Sequence, residues 1–215
     1  MDSKTITEII VAIGQTTYMV LFSTLFAVIL GFIPAIVLTI TAPDGLKPNA
    51  PVYKVLDVVI NVLRSFPFII LMVVVIPLTR LLIGTSIGTT AAIVPLTIAA
   101  APFVARIIES ALKEVDPGVI EAAKSFGASN TQIIFKVMIK EAVPAIISGL
   151  TLTIISIIGY SAMAGSIGGK GLGDLAIRFG YQRFQTDVMI VTVIILIIMV
   201  QGLQSLGNYL YKKLS

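Results

Sequence analysis

The chain has 215 residues, of which 57% are hydrophobic and only 12% are charged, and its formal net charge is +4. This composition excludes an ordinary soluble domain and indicates an integral membrane protein. The chain contains no cysteine and no histidine, which excludes disulfides, thiol catalysis and most zinc or haem sites.

Five continuous apolar segments are long enough to cross a bilayer as helices, which requires about 20 residues each. A membrane barrel would instead show alternating segments of about 10 residues. Because no cleavage site follows the first segment, we interpret it as a retained span and not as a removed signal peptide. We therefore predict an all-α integral membrane protein that forms a single domain over 1–215, with its core at about 14–206. The five predicted transmembrane helices are 9–41, 58–83, 87–108, 142–164 and 188–206.

The lysine and arginine residues are distributed unequally between the segments that connect the predicted spans. If the N-terminus lies outside, ten of the 15 basic residues fall in inner loops and the C-terminal tail. Cytoplasmic loops of membrane proteins carry an excess of Lys and Arg. We therefore predict that the N-terminus is outside and the C-terminus is cytoplasmic. The inner residues are Lys47, Lys54, Arg64, Arg106, Lys113, Lys124, Lys136, Lys140, Lys212 and Lys213.

The second and third predicted spans contain residues that are unusual in a membrane helix. Arg64 lies near the inner end of the second span, from which its side chain can snorkel to the lipid headgroups. Pro95 and Pro102 interrupt the third span, which is tolerated where neighbouring helices or a water-lined path satisfy the freed carbonyls. The loop before the second span is rich in proline and glycine and predicts an irregular connector, with a short helix from Pro51.

Residues 116–144 are a polar interruption that must lie outside the hydrocarbon of the membrane. Asp116 can cap a helix that begins at Pro117, and Gly127 can end that helix in the left-handed conformation. Residues 129–132 have the spacing of a capping box, which starts a second helix. We predict two short helices that project as a rigid knob; the alternative is an amphipathic hairpin resting on lipid. The predicted apolar face of the first helix contains Val119, Ile120, Ala123 and Phe126.

The fourth predicted span carries small and hydroxylic side chains along its length and no charge. Ordinary close packing of helices accounts for such residues, and the wall of a pathway for a neutral or zwitterionic solute is the alternative. Residues 165–173 lack the spacing of a phosphate-binding loop, so we predict a flexible outer turn. The following segment to Asp187, with Arg178 and Arg183, predicts a short outer helix that meets an external partner. The small and hydroxylic residues of the span are Ser148, Thr151, Ser156, Gly159, Tyr160 and Ser161.

The knob carries the sequence EAA at 121–123, then Gly127, and, after nine intervening residues, Val137 and Ile139. This pattern resembles the EAA loop of the permease subunits of bacterial ABC importers, in which the loop is a coupling helix that docks into a cleft of a cytoplasmic ATPase. Lys140 stands where members of that family often have proline. The resemblance implies a cytoplasmic coupling loop at about 111–140, with Pro117, Glu121, Ala122, Ala123, Lys124 and Gly127 as the residues that couple to the ATPase.

Short segments over 53–181 resemble the permease subunits of the bacterial methionine ABC importers, among them FPFII, APFVAR, IEAAKSFGA and GYSAMAG. The resemblance implies a type I ABC importer permease. Such a permease moves methionine, the L form and as a further option the D form, across the cytoplasmic membrane by alternating access. Tyr160, Ser161 and Met163 are our candidates for the translocation path or gate.

The same resemblance implies the partners of the chain. We expect a homodimer in the bacterial cytoplasmic (inner) membrane, surrounded by lipid, with a cytoplasmic ATPase dimer below it and an external methionine-binding protein above it. The chain is then not itself an enzyme and binds no cofactor or metal, because ATP and magnesium are used by the partner ATPase. Nucleic acid is not an expected partner, since no basic cluster with interleaved aromatic residues occurs.

Two other interpretations of the sequence stay open. The chain could be an ABC permease for another amino acid, or a secondary carrier that works without ATP. A carrier normally shows buried charges in its spans, and the apolar cores of the fourth and fifth spans have none. A membrane-embedded enzyme is disfavoured, because no catalytic constellation is found.

Overall fold

The computed structural model describes residues 3–214, which are helical apart from short connections; no strand occurs among them. Ten α-helices follow one another, and two π-helical segments, Ile133–Met138 and Ala176–Tyr181, continue the short helices before them. The α-helices are α1 (Ser3–Thr41), α2 (Ala50–Arg64), α3 (Phe68–Val74), α4 (Ile76–Ile83), α5 (Thr89–Lys113), α6 (Pro117–Ser125), α7 (Asn130–Gln132), α8 (Ile139–Gly165), α9 (Leu172–Leu175) and α10 (Thr186–Leu214).

Four of the five predicted spans are long helices, and the span predicted at 58–83 is wrong as a single helix. The chain there is divided among α2, α3 and α4, and the axis turns by 103° between α2 and α3. Pro67 lies at this turn, and proline both lacks a backbone donor and disfavours helical conformation in the residue before it. Within residues 3–214, four helices are therefore long and apolar enough to cross a membrane, and the number of such spans is five if α2 and α3 together count as one.

The helical bundle has two distinct ends, and the contacts at each end show the direction in which the helices run. At one end, the Gly171 amide donates to Gln15 Oε1 (3.0 Å) and the Gly88 amide donates to the Gly168 carbonyl (2.9 Å). We call this the loop end. The starts of α1 and α5 thus lie together, so these two helices run in the same direction. The helices α2, α3 and α4 must carry the chain back between the end of α1 and the start of α5.

At the opposite end, which we call the α6 end, Thr39 of α1 and Leu112 of α5 line one cavity together with Pro117 of α6. The helix α8 begins beside them, because Met138 lines the same cavity, and it runs back towards the loop end. The helix α10 starts near the loop end and ends at the α6 end.

The core is centred on α5, the most buried of the long helices. Leu96, Val104 and Leu112 are fully buried on it. The helix α1 packs closely against α5 because Gly31 has no side chain: a Cβ at Gly31 would lie 2.6 Å from the Ala101 carbonyl oxygen. Small residues permit such close approach of two membrane helices, which is how van der Waals packing replaces the hydrophobic effect in lipid.

The glycine-rich segment 165–173 is not the flexible outer turn that the sequence predicts. Gly171, Leu172 and Gly173 are buried. The segment is fixed to α1, because the Leu172 amide donates to Thr16 Oγ1 at 2.9 Å. The polar residues early in the first span therefore bind the backbone of this segment. The short helix predicted after it is present as α9 and its π-helical continuation, and its outer location stays a prediction.

Candidate functional site

The first helix of the knob forms as its sequence predicts. Asp116 precedes α6 and its carboxylate accepts a hydrogen bond from the Gly118 amide (2.6 Å), while Pro117 is the first helical residue. Gly127 has φ +75°, and no described atom lies within 4 Å of the position that a Cβ would take. Glycine is required at this position for the backbone conformation and not for lack of space.

The second helix of the knob is not short. Its predicted capping box is confirmed, because the Ser129 amide donates to Gln132 Oε1 (2.8 Å) and the Gln132 amide donates to Ser129 Oγ (3.3 Å). The helix then continues through the π-helical segment Ile133–Met138 into α8. The knob is therefore one short helix, α6, joined by a tight corner to the base of a long one.

The surface of α6 is almost entirely open. None of the residues Pro117–Ser125, all of which the structure describes, is buried. Ile120 and Ala123 are half-buried against the core and anchor the helix. The predicted coupling residues that lie exposed on the remaining surface are Pro117, Glu121, Ala122, Lys124 and Gly127.

Phe126 does not lie on the inner face of α6, where the helical pattern places it. It follows the last helical residue and is 92% exposed. Val119, predicted on the same inner face, is also exposed. The exposed surface of the knob thus combines a carboxylate, an ammonium group and a large aromatic ring.

The three predicted path or gate residues on α8 do not share one surface. Tyr160 stacks on Phe68 of α3, with ring centroids 4.7 Å apart and planes inclined by 16°. Ser161 is buried in the core, and its hydroxyl donates to the Ile158 carbonyl at 2.7 Å. Met163 is 45% exposed. The structure therefore leaves Met163 exposed and Tyr160 partly buried, whereas Ser161 lies in the core.

The accessible side of α8 is a continuous stripe along the helix. Its members recur at spacings of three and four residues, so they lie on one face. Beside the stripe, a cavity of ≈ 140 Å³ lies between α5 and α8 and is lined by Phe103, Ser156 and Tyr160. The five stripe residues are exposed in the single chain. They are Ser148, Leu152, Ser156, Gly159 and Met163.

A charged cluster near the α6 end was not identified from the sequence. Glu109 of α5 is 1% exposed and accepts from Arg106 Nη1 (2.7 Å) and Lys113 Nζ (2.8 Å). Arg106 also binds Asp57 of α2. The sequence did contain a signal for this cluster, because the polar residues at 53, 57 and 61 recur every four positions and so share one face of α2. Positions 106, 109 and 113 likewise share one face of α5.

The sequence was compared with models of known protein families. The model for "Binding-protein-dependent transport system inner membrane component" matches residues 27–215. The chain belongs to this family.

Two curated members of the family illustrate the similarity. The "Probable D-methionine transport system permease protein MetI" of Vibrio cholerae is 50% identical over 205 residues, which cover 95% of this chain and 91% of that protein. The "Methionine import system permease protein MetP" of Bacillus subtilis is 47% identical over 171 residues, which cover 80% of this chain and 77% of that protein.

Solved structures of the transport family confirm the all-α permease fold. A chain of the MetNI methionine ABC transporter, solved in inward-facing conformations, matches with a TM-score of 0.98 and 38% identity over 100% of both chains. A chain of an amino acid ABC transporter crystallised with histidines matches with a TM-score of 0.80 over 98% of this chain and 95% of that one. Its identity of 23% shows a shared fold alone.

Proposed function

We propose that the chain is the permease subunit of an ATP-driven ABC importer that moves methionine across the bacterial cytoplasmic membrane. The observation that carries this proposal is the full-length match, at 38% identity, to a chain of a methionine ABC transporter. Relatives that are 45% to 50% identical also bear names of methionine permeases. A permease for a different amino acid is disfavoured, because a chain of an amino acid ABC transporter that matches over 98% of this chain is only 23% identical to it.

The proposed assembly follows from the two ends of the chain. The α6 end faces the cytoplasm and a pair of ATPase subunits, and the loop end faces an external methionine-binding protein. The excess of basic residues in the segments at the α6 end supports this orientation. The chain crosses the membrane five times: once each with α1, α5, α8 and α10, and once with α2, α3 and α4 together. The last crossing is needed because α1 and α5 run in the same direction. ATP and magnesium are used by the ATPase, and this chain contributes no catalytic group.

A second copy of the chain completes the proposed path. The stripe of α8 carries the Ser148 and Ser156 hydroxyls, and its residues are exposed in the single chain. Two such stripes facing each other across a two-fold axis enclose a route with polar groups for a zwitterionic solute. Tyr160 and Met163 lie beside this route, and the flexible thioether of Met163 suits a gate that closes by packing.

The proposed mechanism is alternating access. ATP binding closes the ATPase dimer and draws the two α6 helices together, and the permease then opens outwards; hydrolysis reverses the change. Glu121, Ala122 and Lys124 lie on the surface that meets the ATPase. The ATPase shifts the equilibrium because its closed and open forms bind the two permease conformations with different free energies.

The test is reconstitution of the tagged chain, together with the ATPase that co-purifies with it, in vesicles that take up labelled methionine. We expect accumulation that requires both ATP and the external binding protein. Accumulation driven by an ion gradient without ATP would contradict the importer and favour a secondary carrier. If an ATPase co-purifies and methionine stays outside the vesicles, the result would contradict methionine as the substrate and would leave the importer proposal intact.

A further inference from the structure

The helix α2 is attached to the bundle with little apolar burial. Ile60 is the one residue of Ala50–Arg64 that is buried. Val55, Val58 and Val62 of the same helix are about half exposed or more. Apolar packing of α2 is therefore limited, and polar contacts contribute to holding it on the bundle.

Those polar contacts centre on a carboxylate inside the protein. Glu109 of α5 is 1% exposed, and both of its oxygens are used: Oε2 accepts from Arg106 and Oε1 accepts from Lys113. The Tyr53 hydroxyl of α2 lies 3.4 Å from Oε1. A buried charge that is paired on both sides is tolerated, whereas loss of one partner leaves an uncompensated charge.

Arg106 extends the cluster from α5 to α2. Its Nη2 donates to Asp57 Oδ1 and to Asn61 Oδ1 (3.1 Å), while Asn61 Nδ2 donates to Asp57 Oδ2 at 3.2 Å. Lys113 adds a further contact, because its Nζ lies 5.0 Å from the centroid of the Tyr53 ring. The rigid, forked guanidinium holds α2 at a defined angle and height on α5, which a single point charge does not.

The cluster lies between the knob and the accessible part of α8. Lys113 is the last residue of α5, and the α6 cap Asp116 follows after only two residues, with Val115 buried between them. On the other side, α2 leads through the 103° turn to Phe68, which stacks on Tyr160. Because the connection between α5 and α6 is short and the charged cluster joins α5 to α2, we expect a displacement of α6 to move α5 and α2. The connection from α2 to α3 then links this movement to Tyr160.

We propose that this charged cluster is a positioning device that makes α2 move together with α6, so that movement of the ATPase reaches the Phe68–Tyr160 contact. The proposal rests on the proposed importer function. Arg106, Glu109 and Asp57 act through other residues and touch no substrate.

The test uses Asp57→Asn, which removes one charge from the partly exposed rim of the cluster. The matched control is Lys54→Gln, which removes a charge from an exposed position of the same helix outside the cluster. We expect methionine imported per ATP hydrolysed to fall about tenfold in Asp57→Asn, within the usual range of coupling between sites. Lys54→Gln is expected to keep the wild-type ratio. This ratio does not depend on how much protein is inserted.

A second measurement uses the absence of native cysteine in the chain. A spin label at Val55→Cys, on the exposed side of α2, reports the mobility of that helix. We expect Asp57→Asn to increase this mobility, while a label at Ile198→Cys on α10 keeps its wild-type spectrum. Because these spectra do not require transport, they test the positioning role even if the wild-type chain fails to import methionine.

A wild-type ratio in Asp57→Asn, or an unchanged Val55→Cys spectrum in that variant, would overturn the proposal. If Asp57→Asn fails to insert, Asn61→Ala at an exposed position replaces it in both measurements. A wild-type ratio and spectrum in Asn61→Ala would then overturn the proposal, and a reduced ratio with a mobile α2 would support it.

Discussion

Phe126 gives the knob an exposed aromatic ring with no packing role in the chain. It lies immediately after α6 and before Gly127, and it is 92% exposed. Burial of a large exposed aromatic ring against another protein is favourable in free energy, and aromatic anchors dominate the binding energy of many interfaces. We predict that Phe126 contacts the ATPase of the proposed importer.

Phe126→Ala is expected to weaken binding of the ATPase by about 2 kcal/mol, or roughly thirtyfold in the dissociation constant. The thermal stability of the isolated permease should stay the same, because the ring contacts little of its own chain. The measurement is the affinity of the purified ATPase for the detergent-solubilised permease. Phe184→Ala is the control, since Phe184 is 86% exposed at the opposite end of the bundle. Equal affinity in both variants and the wild type would exclude Phe126 as an anchor.

Residues whose roles are set by their neighbours in sequence could be predicted, and those set by other helices could not. The Asp116 cap and the left-handed Gly127 depend on a few adjacent residues, and both predictions are confirmed. Phe126 was placed wrongly because helical periodicity was extended one residue past the end of α6. Glu109 was missed because its cationic partners matter only when α2 packs on α5. The roles of Tyr160, Ser161 and Met163 in the path stay predictions.

Among the elements, α1 and α5 form the closest helix pair at Gly31. A methyl group there would meet the Ala101 carbonyl oxygen at 2.6 Å and the Val104 Cβ at 2.9 Å, and the carbonyl belongs to rigid backbone. The two helices would have to separate to admit it. Separation removes dispersion contacts along the most buried helix of the protein.

We expect Gly31→Ala to destabilise the protein by about 1–3 kcal/mol, as overpacking of a filled core does. Gly14→Ala provides the matched control on the same helix, because no described atom lies within 4 Å of a Cβ at Gly14. That change should be neutral or stabilising by at most about 1 kcal/mol. The measurement is the midpoint of thermal unfolding in detergent for Gly31→Ala and for Gly14→Ala. Equal midpoints would show that α1 and α5 adjust to the added methyl group without cost.

The length of apolar segments predicted four of the long helices, because backbone groups in lipid must be satisfied within each helix. The same criterion failed at 58–83. The apolar run continues through this segment, but Pro67 breaks the helix and α2 packs across α5 through charges. Apolar length does not report where a helix breaks inside a run, nor that Gln15 and Thr16 would hold a buried glycine segment.

At the scale of the whole molecule, the parallel directions of α1 and α5 determine how the ends are arranged. Since α2, α3 and α4 return the chain between them, the bundle is crossed an odd number of times. The α6 knob and the tip around Phe184 lie at opposite ends, because α8 runs from one end of the bundle to the other between them. The excess of basic residues near the knob then predicts which end faces the cytoplasm.

Cysteine labelling tests this arrangement, since the chain has no native cysteine. Phe184→Cys and Phe126→Cys replace two highly exposed side chains at the two ends. In intact cells whose outer membrane has been made permeable, a membrane-impermeant maleimide should label Phe184→Cys at once. Phe126→Cys should react only after the inner membrane is opened. The reverse pattern would place the knob outside, where no ATP-driven partner could reach it. Labelling of both variants in closed cells would contradict a membrane crossing by α8, the helix that separates the two sites.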